Sequence, residues 1–518
     1  MWLCAACVVV ALLLPIAYLL IRAFGADSAA WSSLLRPRTI EVVARTVLLA
    51  LCVALACLLI AVPLAWLTVR SDVPLRRLWA VLTPLPLVIP SYVSAYLFIA
   101  ALGPRGMAQQ FLEPLFGIER LPDIYGFPGA LFVLTLLSYP YIQLGARAAL
   151  LRMDSAMEES ARSLGHGAWS TFWHITLPML RPTLSAGCLL VVLYVVRDFG
   201  AVAMMRYDTL TRIIYTQYQS FNRSQAALTA LLAVGITLAI LALDARARDP
   251  VSKIGARAAT GADRPPKTVK LGMWRWPAFL FCALITFLAL IMPVLSLGYW
   301  FVRGLTVGEG VPELSLAIAN SALASALGAI AALLTALPLA VLIVRHVSRG
   351  TRLLERITYI CFALPGIVVA LSLVFFGANH VPWLYQTLPM LILAYAILFV
   401  PQAVSSLRVS LLQIPHHLEE AARGLGCKPW EAFRAISLPL MQPGVLAGAG
   451  LVFLTVMKEL PATLILSPIG YRTLAVAVWS AISEAFFAAA AAPALLIILL
   501  SSVPMTFFIL REKSGDLS

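Results

Sequence analysis

A segment of about 25 residues occurs twice in this chain, and equivalent residues of the two copies are 261 positions apart throughout. Each copy begins with paired glutamates, continues to a glycine (Gly165 or Gly426) and ends in Leu-Pro (177–178 or 438–439). A constant offset without gaps indicates an internal repeat, and a repeat is built from similar structural units. We therefore expect the chain to fold as two related halves.

The sequence around these copies is strongly apolar. Of its 518 residues, 61% are hydrophobic and only 12% are charged, whereas a soluble domain carries about 25% charged residues. A helix needs about 20 apolar residues to cross the hydrocarbon core of a bilayer. The sequence therefore predicts an all-α integral membrane protein with about twelve spans. They are predicted at 2–22, 43–69, 78–102, 127–146, 183–203, 225–243, 276–302, 316–344, 357–378, 382–403, 444–466 and 486–510.

The positive charge is distributed unequally between the two sides of the membrane. The duplicated segments lie in loop A (residues 154–182) and loop B (residues 415–443). The side that carries both loops holds about two thirds of the 38 Lys and Arg residues, and the positive-inside rule assigns that side to the cytoplasm. Both termini are then predicted to be cytoplasmic as well. Topology thus explains the net charge of +14, and no nucleic-acid partner is expected.

The repeat extends beyond the two loops and predicts the domain organisation. Residues 1–244 form the first half, 245–275 a basic cytoplasmic linker, and 276–518 the second half. Further matched features are Val62-Pro63-Leu64 with Arg70 and Leu337-Pro338-Leu339 with Arg345, Leu85-Pro86 and Leu364-Pro365, and Pro140 with Arg147 and Pro401 with Arg408. Six spans per half, an even number, predict a parallel repeat with its axis along the membrane normal.

Each loop is predicted to contain two short helices around its glycine, which can adopt the left-handed conformation that ends a helix. In loop A, Trp169, Phe172 and Ile175 follow at intervals of three and predict an apolar face. An apolar face outside the bilayer packs on the chain itself, on lipid headgroups or on another protein. A surface helix on the membrane is one interpretation, but two matched copies favour a protein partner.

Two basic-acidic pairs interrupt the apolar spans: Arg197-Asp198 in the first half and Lys458-Glu459 in the second. Ionisable groups within a membrane are costly and usually face a bundle interior or cavity. The pairs are candidates for the translocation path or an outer gate. A structural charge cluster between the halves, or helices that end early and let both groups reach the interface, would explain them equally well.

The eight cysteines lie almost entirely in apolar spans and are expected to be buried apolar residues rather than disulfides or metal ligands. Tyr92, Tyr96, Tyr194 and Asp198 carry oxygen atoms suited to a hard cation. Tyrosines in membrane proteins are more often interfacial or packing residues. A metal site is therefore left open, and no catalytic residue is predicted.

Loops A and B resemble the EAA loops of binding-protein-dependent ABC importer permeases, whose pattern is Glu-Ala-Ala, three residues, Gly, nine residues and Ile-x-Leu-Pro. Loop B matches throughout, and loop A departs only at Ser160. The resemblance implies that both loops dock onto ATPase subunits. The residues predicted to couple the permease to the ATPase are Glu159, Ala161, Gly165, Trp169, Ile175 and Pro178 in loop A, and Glu420, Ala421, Ala422, Gly426, Trp430, Ile436 and Pro439 in loop B.

The whole chain resembles the fused permeases of the ferric-iron type. The carriers of this resemblance are Leu85-Pro86-Leu87-Val88-Ile89-Pro90-Ser91-Tyr92, Gly103-Pro104-Arg105-Gly106, Asp198-Phe199-Gly200-Ala201, Arg206-Tyr207-Asp208-Thr209, Met457-Lys458-Glu459-Leu460-Pro461-Ala462-Thr463 and Tyr471-Arg472-Thr473-Leu474. It implies two tandem six-helix halves of the type I ABC importer (MetI-like) fold in a bacterial inner membrane. The implied partners are two copies of a cytoplasmic ATPase, a periplasmic or lipid-tethered solute-binding protein, and membrane lipid.

The chain contains no Gly-x-x-x-x-Gly-Lys-Ser/Thr phosphate-binding motif, so we expect it not to be an enzyme. No cofactor is expected on this chain, because ATP and Mg would be used by the partner subunit. Related fused permeases carry thiamine or aminophosphonates, and these solutes remain alternatives. An ion-driven secondary transporter is the alternative of a different class, since it too would explain twelve spans in parallel halves. A scaffold or sensor would leave the intramembrane charge pairs unexplained.

Overall fold

The structure is a computed structural model and describes residues 2–153, 155–248, 268–307, 314–346, 348–362, 364–484 and 486–514. Within these ranges the regular structure is helical, and the single β-type contact is an isolated parallel bridge between Ser71 and Val269. The predicted all-α class is therefore confirmed.

The helices in chain order are α1 (Trp2–Phe24), α2 (Ser28–Leu34), α3 (Pro37–Arg70), α4 (Arg76–Leu82), α5 (Ser91–Leu102), α6 (Met107–Phe116), α7 (Phe127–Arg152), α8 (Ser155–Ser163), α9 (Ala168–Thr171), α10 (Leu177–Arg197), α11 (Gly200–Met204), α12 (Leu210–Gln219), α13 (Arg223–Arg248), α14 (Arg275–Thr286), α15 (Met292–Val307), α16 (Leu314–Arg345), α17 (Arg349–Phe362), α18 (Gly366–His380), α19 (Leu388–Leu412), α20 (His416–Gly424), α21 (Pro429–Ala432), α22 (Leu438–Met457), α23 (Pro461–Leu466), α24 (Leu474–Ser483) and α25 (Phe487–Ser514). Single 3-10 turns occur at Leu85–Val88 and Gly272–Trp274, and π turns at Phe172–Thr176, Phe287–Ile291 and Phe433–Ser437.

Most of the predicted spans correspond to helices long enough to cross a bilayer. Nine helices of the described part of the chain are sufficiently long and apolar, or ten if Arg76–Val88 and Ser91–Phe116, bent by 101°, form one span. Gly366–His380 and Leu474–Ser483 are apolar but shorter. The continuous spans predicted at 78–102 and 357–378 are therefore wrong in detail, because each is interrupted before a short apolar helix.

Proline explains both interruptions and corrects one repeat pairing. Pro90 and Pro365 are the residues that precede α5 and α18, and their ψ values of 146° and 141° are extended. Proline disfavours continuation of the helix that precedes it, because it lacks the backbone N–H and its ring clashes with the preceding turn. The sequence pairing of Pro86 with Pro365 is therefore wrong, since Pro90 holds the equivalent position. Pro90 and Pro365 are 275 positions apart, and the same offset separates Arg70 from Arg345.

The chain forms two compact units, and each unit combines segments that are distant in the sequence. Unit 1 consists of Met1–Leu35, Ile213–Val234 and Glu309–Pro504. Its central helices are α16, α19 and α22, which pack on one another. Helix α1 packs on α16, α17 and α18. Two buried side chains donate hydrogen bonds to the α1 backbone: Cys361 Sγ to Leu12 O (3.4 Å) and Ser372 Oγ to Pro15 O (3.2 Å).

Unit 2 consists of Arg36–Arg212, Gly235–Gly308 and Met505–Ser518. Helices α3, α7 and α10 pack together at its centre and are the repeat equivalents of α16, α19 and α22. Helices α14 and α15 belong to this unit as well. The rings of Trp79 and Phe279 meet edge to face at 5.5 Å, and Ser296 Oγ donates to Met107 Sδ at 3.7 Å.

The division of the sequence into halves at 1–244 and 276–518 describes the repeat and stays a prediction. The packing shows that the first helix of the chain joins the unit built mainly from the second half. Most of the predicted linker, residues 249–267, lies outside the described residues. Its final part is held by Val269 N–H donating to Arg70 O (2.7 Å) and Leu271 N–H donating to Asp72 Oδ1 (2.9 Å).

Candidate functional site

Loop A consists of a helix, a glycine turn and a second helix. Gly165 has φ +88°, and apart from its two chain neighbours no residue places an atom within 4 Å of the position that a Cβ would occupy there. The His166 N–H donates to Ala161 O (3.1 Å), and the Gly165 N–H donates to Arg162 O (3.0 Å). These two bonds form a Schellman motif, in which a left-handed residue satisfies the last carbonyl groups of a helix.

Loop B repeats this geometry. Gly426 has φ +94° with open space around it. The Cys427 N–H donates to Ala422 O (3.1 Å), and the Gly426 N–H donates to Arg423 O (3.0 Å). The predicted left-handed turn is thus confirmed in both loops. The sequence repeat is also a repeat of backbone conformation.

The turns present large apolar side chains to solvent. Leu164 and Leu425, which directly precede the glycines, are 82% and 87% exposed. Trp169 and Trp430 follow the turns and are 73% and 59% exposed. Each tryptophan stacks on the phenylalanine three residues later, with centroid separations of 6.0 and 5.9 Å. Each loop therefore has an apolar tip on an ordered support, as a protein-docking surface requires.

A carboxylate inside each loop ties its first helix to its second. In loop A, Thr176 Oγ1 donates to Glu158 Oε1 at 2.8 Å. In loop B, Ser437 Oγ donates to Glu419 Oε1. Both hydroxyls lie 18 residues after their glutamate. The contact keeps the two short helices of each loop at a fixed relative position.

Loop B has an additional anchor. Arg345, at the end of α16, forms an ion pair with Glu419 at 3.0 Å, and the two side chains are only 10% and 16% exposed. The equivalent Arg70 is buried and donates to the backbone oxygen of Met153 at 3.1 Å. The same arginine position thus supports both loops, through a carboxylate in one and a carbonyl in the other.

We expect Glu419→Ala to destabilise loop B more than Glu158→Ala destabilises loop A. The first change leaves the shielded Arg345 without its carboxylate and costs about 2–3 kcal/mol, whereas the second removes one hydrogen bond worth about 1 kcal/mol. Amide hydrogen exchange of the full-length permease checks this, with a larger loss of protection expected in loop B. Equal losses in the two variants would contradict the anchoring role of Arg345.

The predicted coupling residues differ in accessibility. The exposed ones are Glu159, Gly165, Trp169, Glu420, Ala421, Gly426, Trp430 and Pro439. The partly buried ones are Ile175, Pro178, Ala422 and Ile436, and Ala161 is buried. The structure therefore divides the set into residues that a partner can touch and residues that support them.

The sequence interpretation did not select several residues that build these loops: Leu164 and Leu425 at the tips, and Glu158, Thr176, Glu419 and Ser437 within. A signal was present, because each recurs at the offset of 261 with its chemistry retained. Thr176 and Ser437 are not part of the Glu-Ala-Ala pattern, so the pattern did not identify them.

The two charge pairs lie at the other ends of α10 and α22, where each helix stops. Asp198 Oδ2 accepts a hydrogen bond from the Ala201 N–H at 2.9 Å, and Glu459 Oε1 accepts one from the Ala462 N–H at 3.3 Å. Each acid thus satisfies a free N–H at the start of the next short helix, α11 or α23. Arg197 and Lys458 are partly buried. These contacts favour the interpretation that the helices end early, and a role in the path remains a prediction.

Asp198 and Glu459 differ in length, and the residue beside each acid differs in size in the opposite sense. In unit 2 the Ser91 hydroxyl is hydrogen-bonded to the Asp198 carboxylate. In unit 1 the position of Ser91 is held by Gly366, and a Cβ there would lie 2.4 Å from Glu459 Oε1. The longer glutamate therefore occupies space that the serine fills in the other half.

The segments that follow α11 and α23 are tied to the long central helices in the same way. Thr46 Oγ1 accepts a hydrogen bond from the Leu210 N–H at 3.1 Å. In the second copy, Ser321 Oγ accepts from the Leu474 N–H at 2.7 Å. A hydroxyl about two turns into each long helix thus fixes the chain at the end opposite to loops A and B.

Tyrosines reinforce these attachments. The Tyr207 hydroxyl donates to Arg45 O at 3.3 Å, and the Tyr471 hydroxyl donates to Asn320 O at 2.7 Å. Burial raises the pKa of both phenols, which therefore stay protonated donors at neutral pH. These matched residues confirm that the repeat extends into side-chain contacts.

The remaining candidates are three tyrosines and the eight cysteines. Tyr92 and Tyr96 are buried, and Tyr194 is partly buried. All eight cysteines are free thiols. Only Cys57, Cys282 and Cys361 are buried within the protein, so the expectation of burial is wrong for the exposed Cys4, Cys7 and Cys427. No group of three His, Cys, Asp or Glu side chains that could hold a metal ion occurs in the part of the chain that the structure describes.

The sequence of this chain is similar to those of known membrane transport proteins. The family described as "Binding-protein-dependent transport system inner membrane component" matches twice, at residues 57–248 and 324–510. The chain is 34% identical over 509 residues to the Fe(3+)-transport system permease protein FbpB 2 of Haemophilus influenzae, covering 97% of this chain and 96% of that protein. It is 31% identical over 209 residues to the molybdenum transport system permease protein ModB of Escherichia coli, covering 38% of this chain and 90% of ModB.

Proposed function

Since the chain belongs to the family of binding-protein-dependent transport system inner membrane components, we propose that it is the permease of an ABC importer for ferric iron. The similarity to the ferric-iron permease of Haemophilus influenzae extends over 97% of this chain, and that to the molybdenum permease over 38%. A full-length match at 34% identity supports the iron assignment. Thiamine and aminophosphonates remain the alternative solutes.

The observation that carries this proposal is the pair of matched loops with exposed apolar tips. Each loop meets one ATPase subunit, so the permease sits on two copies. Leu164 and Leu425 insert into apolar grooves of the ATPase, with Trp169 and Trp430 beside them. Glu159, Glu420 and Ala421 contact the rim, and Gly165 and Gly426 set the direction of the chain at the turn. The remaining predicted coupling residues, Ala161, Ile175, Pro178, Ala422, Ile436 and Pro439, support these contacts.

Transport proceeds by alternating access. ATP and Mg bind to the partner subunits, and closure of the ATPase dimer draws loops A and B together. Helices α10 and α22 begin within the last residues of loops A and B, so a displacement of a loop is transmitted along a rigid helix. The solute is delivered by a periplasmic or lipid-tethered binding protein. In this scheme the chain itself binds no cofactor and hydrolyses no ATP.

The chain is a multi-pass inner membrane protein. We place both termini and loops A and B in the cytoplasm, because the basic residues concentrate on that side. The two halves at 1–244 and 276–518 then lie in parallel orientation, joined by the linker at 245–275. Arg197, Asp198, Lys458 and Glu459 lie at the outer ends of α10 and α22, where they line or border the path.

The first test combines Gly165→Asp with Gly426→Asp. Aspartate tolerates a left-handed conformation better than most residues, and the space around both glycines is open, so the loops keep their shape. The new carboxylates would lie on the docking surface. We expect ferric-iron uptake to fall to background while the amount of permease in the membrane stays unchanged. Normal uptake by this variant would contradict the assignment of the loops.

Co-purification separates the importer from a secondary transporter. We expect the wild-type permease to co-purify with its ATPase, and the double aspartate variant to lose it. Uptake should persist when an uncoupler is added at constant ATP. Uptake that collapses with the uncoupler, together with the absence of a bound ATPase, would favour the secondary transporter.

A further inference from the structure

The short helix α4 is the repeat equivalent of part of α17, but it lacks the acid that α17 carries. The offset of 275 relates Thr83, which follows α4, to Thr358. Both threonine hydroxyls donate to the carbonyl oxygen four residues earlier, at 2.7 and 2.8 Å, in agreement with this alignment. The same offset relates Ala80 in α4 to Glu355 in α17. The first half therefore has a methyl group where the second half has a carboxylate.

The missing acid leaves an arginine of α7 without a carboxylate. In the second half, Arg408 forms an ion pair with Glu355. The matched Arg147 instead donates from Nη1 to the backbone oxygen of Ala80 at 3.1 Å. Its buried Nε has no hydrogen-bond partner in the part of the chain that the structure describes, and no described carboxylate forms an ion pair with it. A carbonyl group carries no net charge, so the positive charge of this partly buried arginine is not neutralised.

Two more arginines lie beside this contact on α4. Arg76 and Arg77 are four and three residues before Ala80, and residues at these spacings are neighbours on a helix surface. Arg77 is exposed, and Arg76 is partly buried. Helix α4 itself contains no acid. Together with Arg147, these side chains bring three positive charges to one short helix.

The segment at the start of α14 extends this basic surface. Residues 268–280 lie beside α4, where the Phe279 ring meets the Trp79 ring edge to face. Four side chains of this segment are exposed and are either basic or tryptophan: Lys270, Trp274, Arg275 and Trp276. The single acid of residues 71–82 and 268–280 is Asp72, which already accepts a backbone N–H. Exposed tryptophans at the end of an apolar span lie at the level of the lipid headgroups, so this positive surface is in reach of lipid.

The basic side chains of this region form what we call the α4 basic surface: Arg76, Arg77, Arg147, Lys270 and Arg275. We propose that this surface binds the headgroup of an anionic phospholipid such as phosphatidylglycerol. The lipid phosphate gives Arg147 the negative charge that Glu355 gives to Arg408, and arginine forms strong charge-assisted hydrogen bonds with phosphate. Arg147 lies near the end of α7 that leads into loop A, so the lipid belongs to the leaflet on that side. The two halves thus neutralise matched arginines differently, one with its own carboxylate and one with lipid.

The test is equilibrium binding of phosphatidylglycerol with a fluorescent acyl chain to the purified full-length permease in a neutral detergent. We expect the wild type to bind this lipid at least about tenfold more tightly than phosphatidylcholine with the same label. Arg147→Gln should weaken the binding of phosphatidylglycerol about fivefold, the usual contribution of one basic residue near an anionic headgroup. Arg408→Gln is the matched control, because this arginine is paired with Glu355 within the protein. The control should bind the lipid as the wild type does.

The unfolding temperature without added lipid checks the folding of each variant. Arg76→Gln combined with Arg77→Gln provides a second test if Arg147→Gln is unstable, and it should weaken binding by about twentyfold or more.

Three results would overturn the proposal. Equal binding of the two labelled lipids by the wild type would show that the headgroup charge is not recognised. Equal binding of phosphatidylglycerol by Arg147→Gln and Arg408→Gln would place the lipid elsewhere. Displacement of the lipid by inorganic phosphate at constant ionic strength would assign the surface to a soluble phosphate compound. The experiment uses neither ATPase nor iron, so its result is independent of the proposed function.

Discussion

Replacing Leu164 and Leu425 together with aspartate is expected to abolish transport while leaving the permease folded. Both side chains are more than four-fifths exposed, so their loss should change the free energy of unfolding by less than about 0.5 kcal/mol. If they are buried on docking, each change loses about 2 kcal/mol of apolar burial and adds the cost of burying a charge. Across two loops, ATPase affinity should fall by at least about a thousandfold.

The measurement is uptake in cells, together with ATPase binding to the purified permease. Leu35→Asp is the matched control, because this leucine is 80% exposed and lies outside both loops. It should transport normally. Wild-type ATPase binding by the double variant would exclude the tips as the docking surface. The single variants should each lose about half of the double variant's effect in free energy, since distant sites are usually additive.

The second large effect is expected at the contact between Gly366 and Glu459. Gly366→Ser places a Cβ 2.4 Å from Glu459 Oε1, and forcing this partly buried carboxylate to move costs about 2 kcal/mol. Combining this change with Glu459→Asp reproduces the pair Ser91 and Asp198 of the first half. The shorter side chain removes the clash, and the serine can donate to the new carboxylate as Ser91 does to Asp198.

Thermal unfolding of the purified permease checks this compensation. We expect Gly366→Ser to lower the unfolding temperature and the double variant to recover most of the loss. Gly450→Ala is the control for a glycine that faces open space; in a helix interior it should be neutral or stabilising by about 1 kcal/mol. A double variant less stable than Gly366→Ser alone would show that the two sites are not equivalent.

Several features of the candidate site could be predicted from the sequence. The glycines at 165 and 426 were expected in the left-handed conformation, and both have positive φ. The paired glutamates and the exposed tryptophans also follow from local patterns. The helix ends at Arg197 and Met457 were only one of the alternatives, because the spans were predicted to continue through 183–203 and 444–466. These features depend on neighbours within a few residues, so one sequence contains the information that they need.

Other contacts join residues that are far apart in the sequence, and no local sequence pattern predicts them. Arg345 meets Glu419 across 74 positions, and Ser372 donates to Pro15 O across 357. A cavity of unit 1 is lined from helices α16, α19 and α23 and the segment before α24. An apolar span predicts that a helix lies in the bilayer. Lipid tails and neighbouring helices are almost equally apolar, so hydrophobicity does not determine which helix packs against which.

The sequence by itself determined that this protein is a duplicated, all-helical membrane protein with two equivalent polar loops, because composition and backbone preferences act locally. The tertiary structure alone decided that the first helix of the chain joins the unit of the second half, that the loop tips are Leu164 and Leu425, and that Glu459 borders a cavity. These properties depend on shape and hydrogen-bond complementarity between segments that meet only after folding.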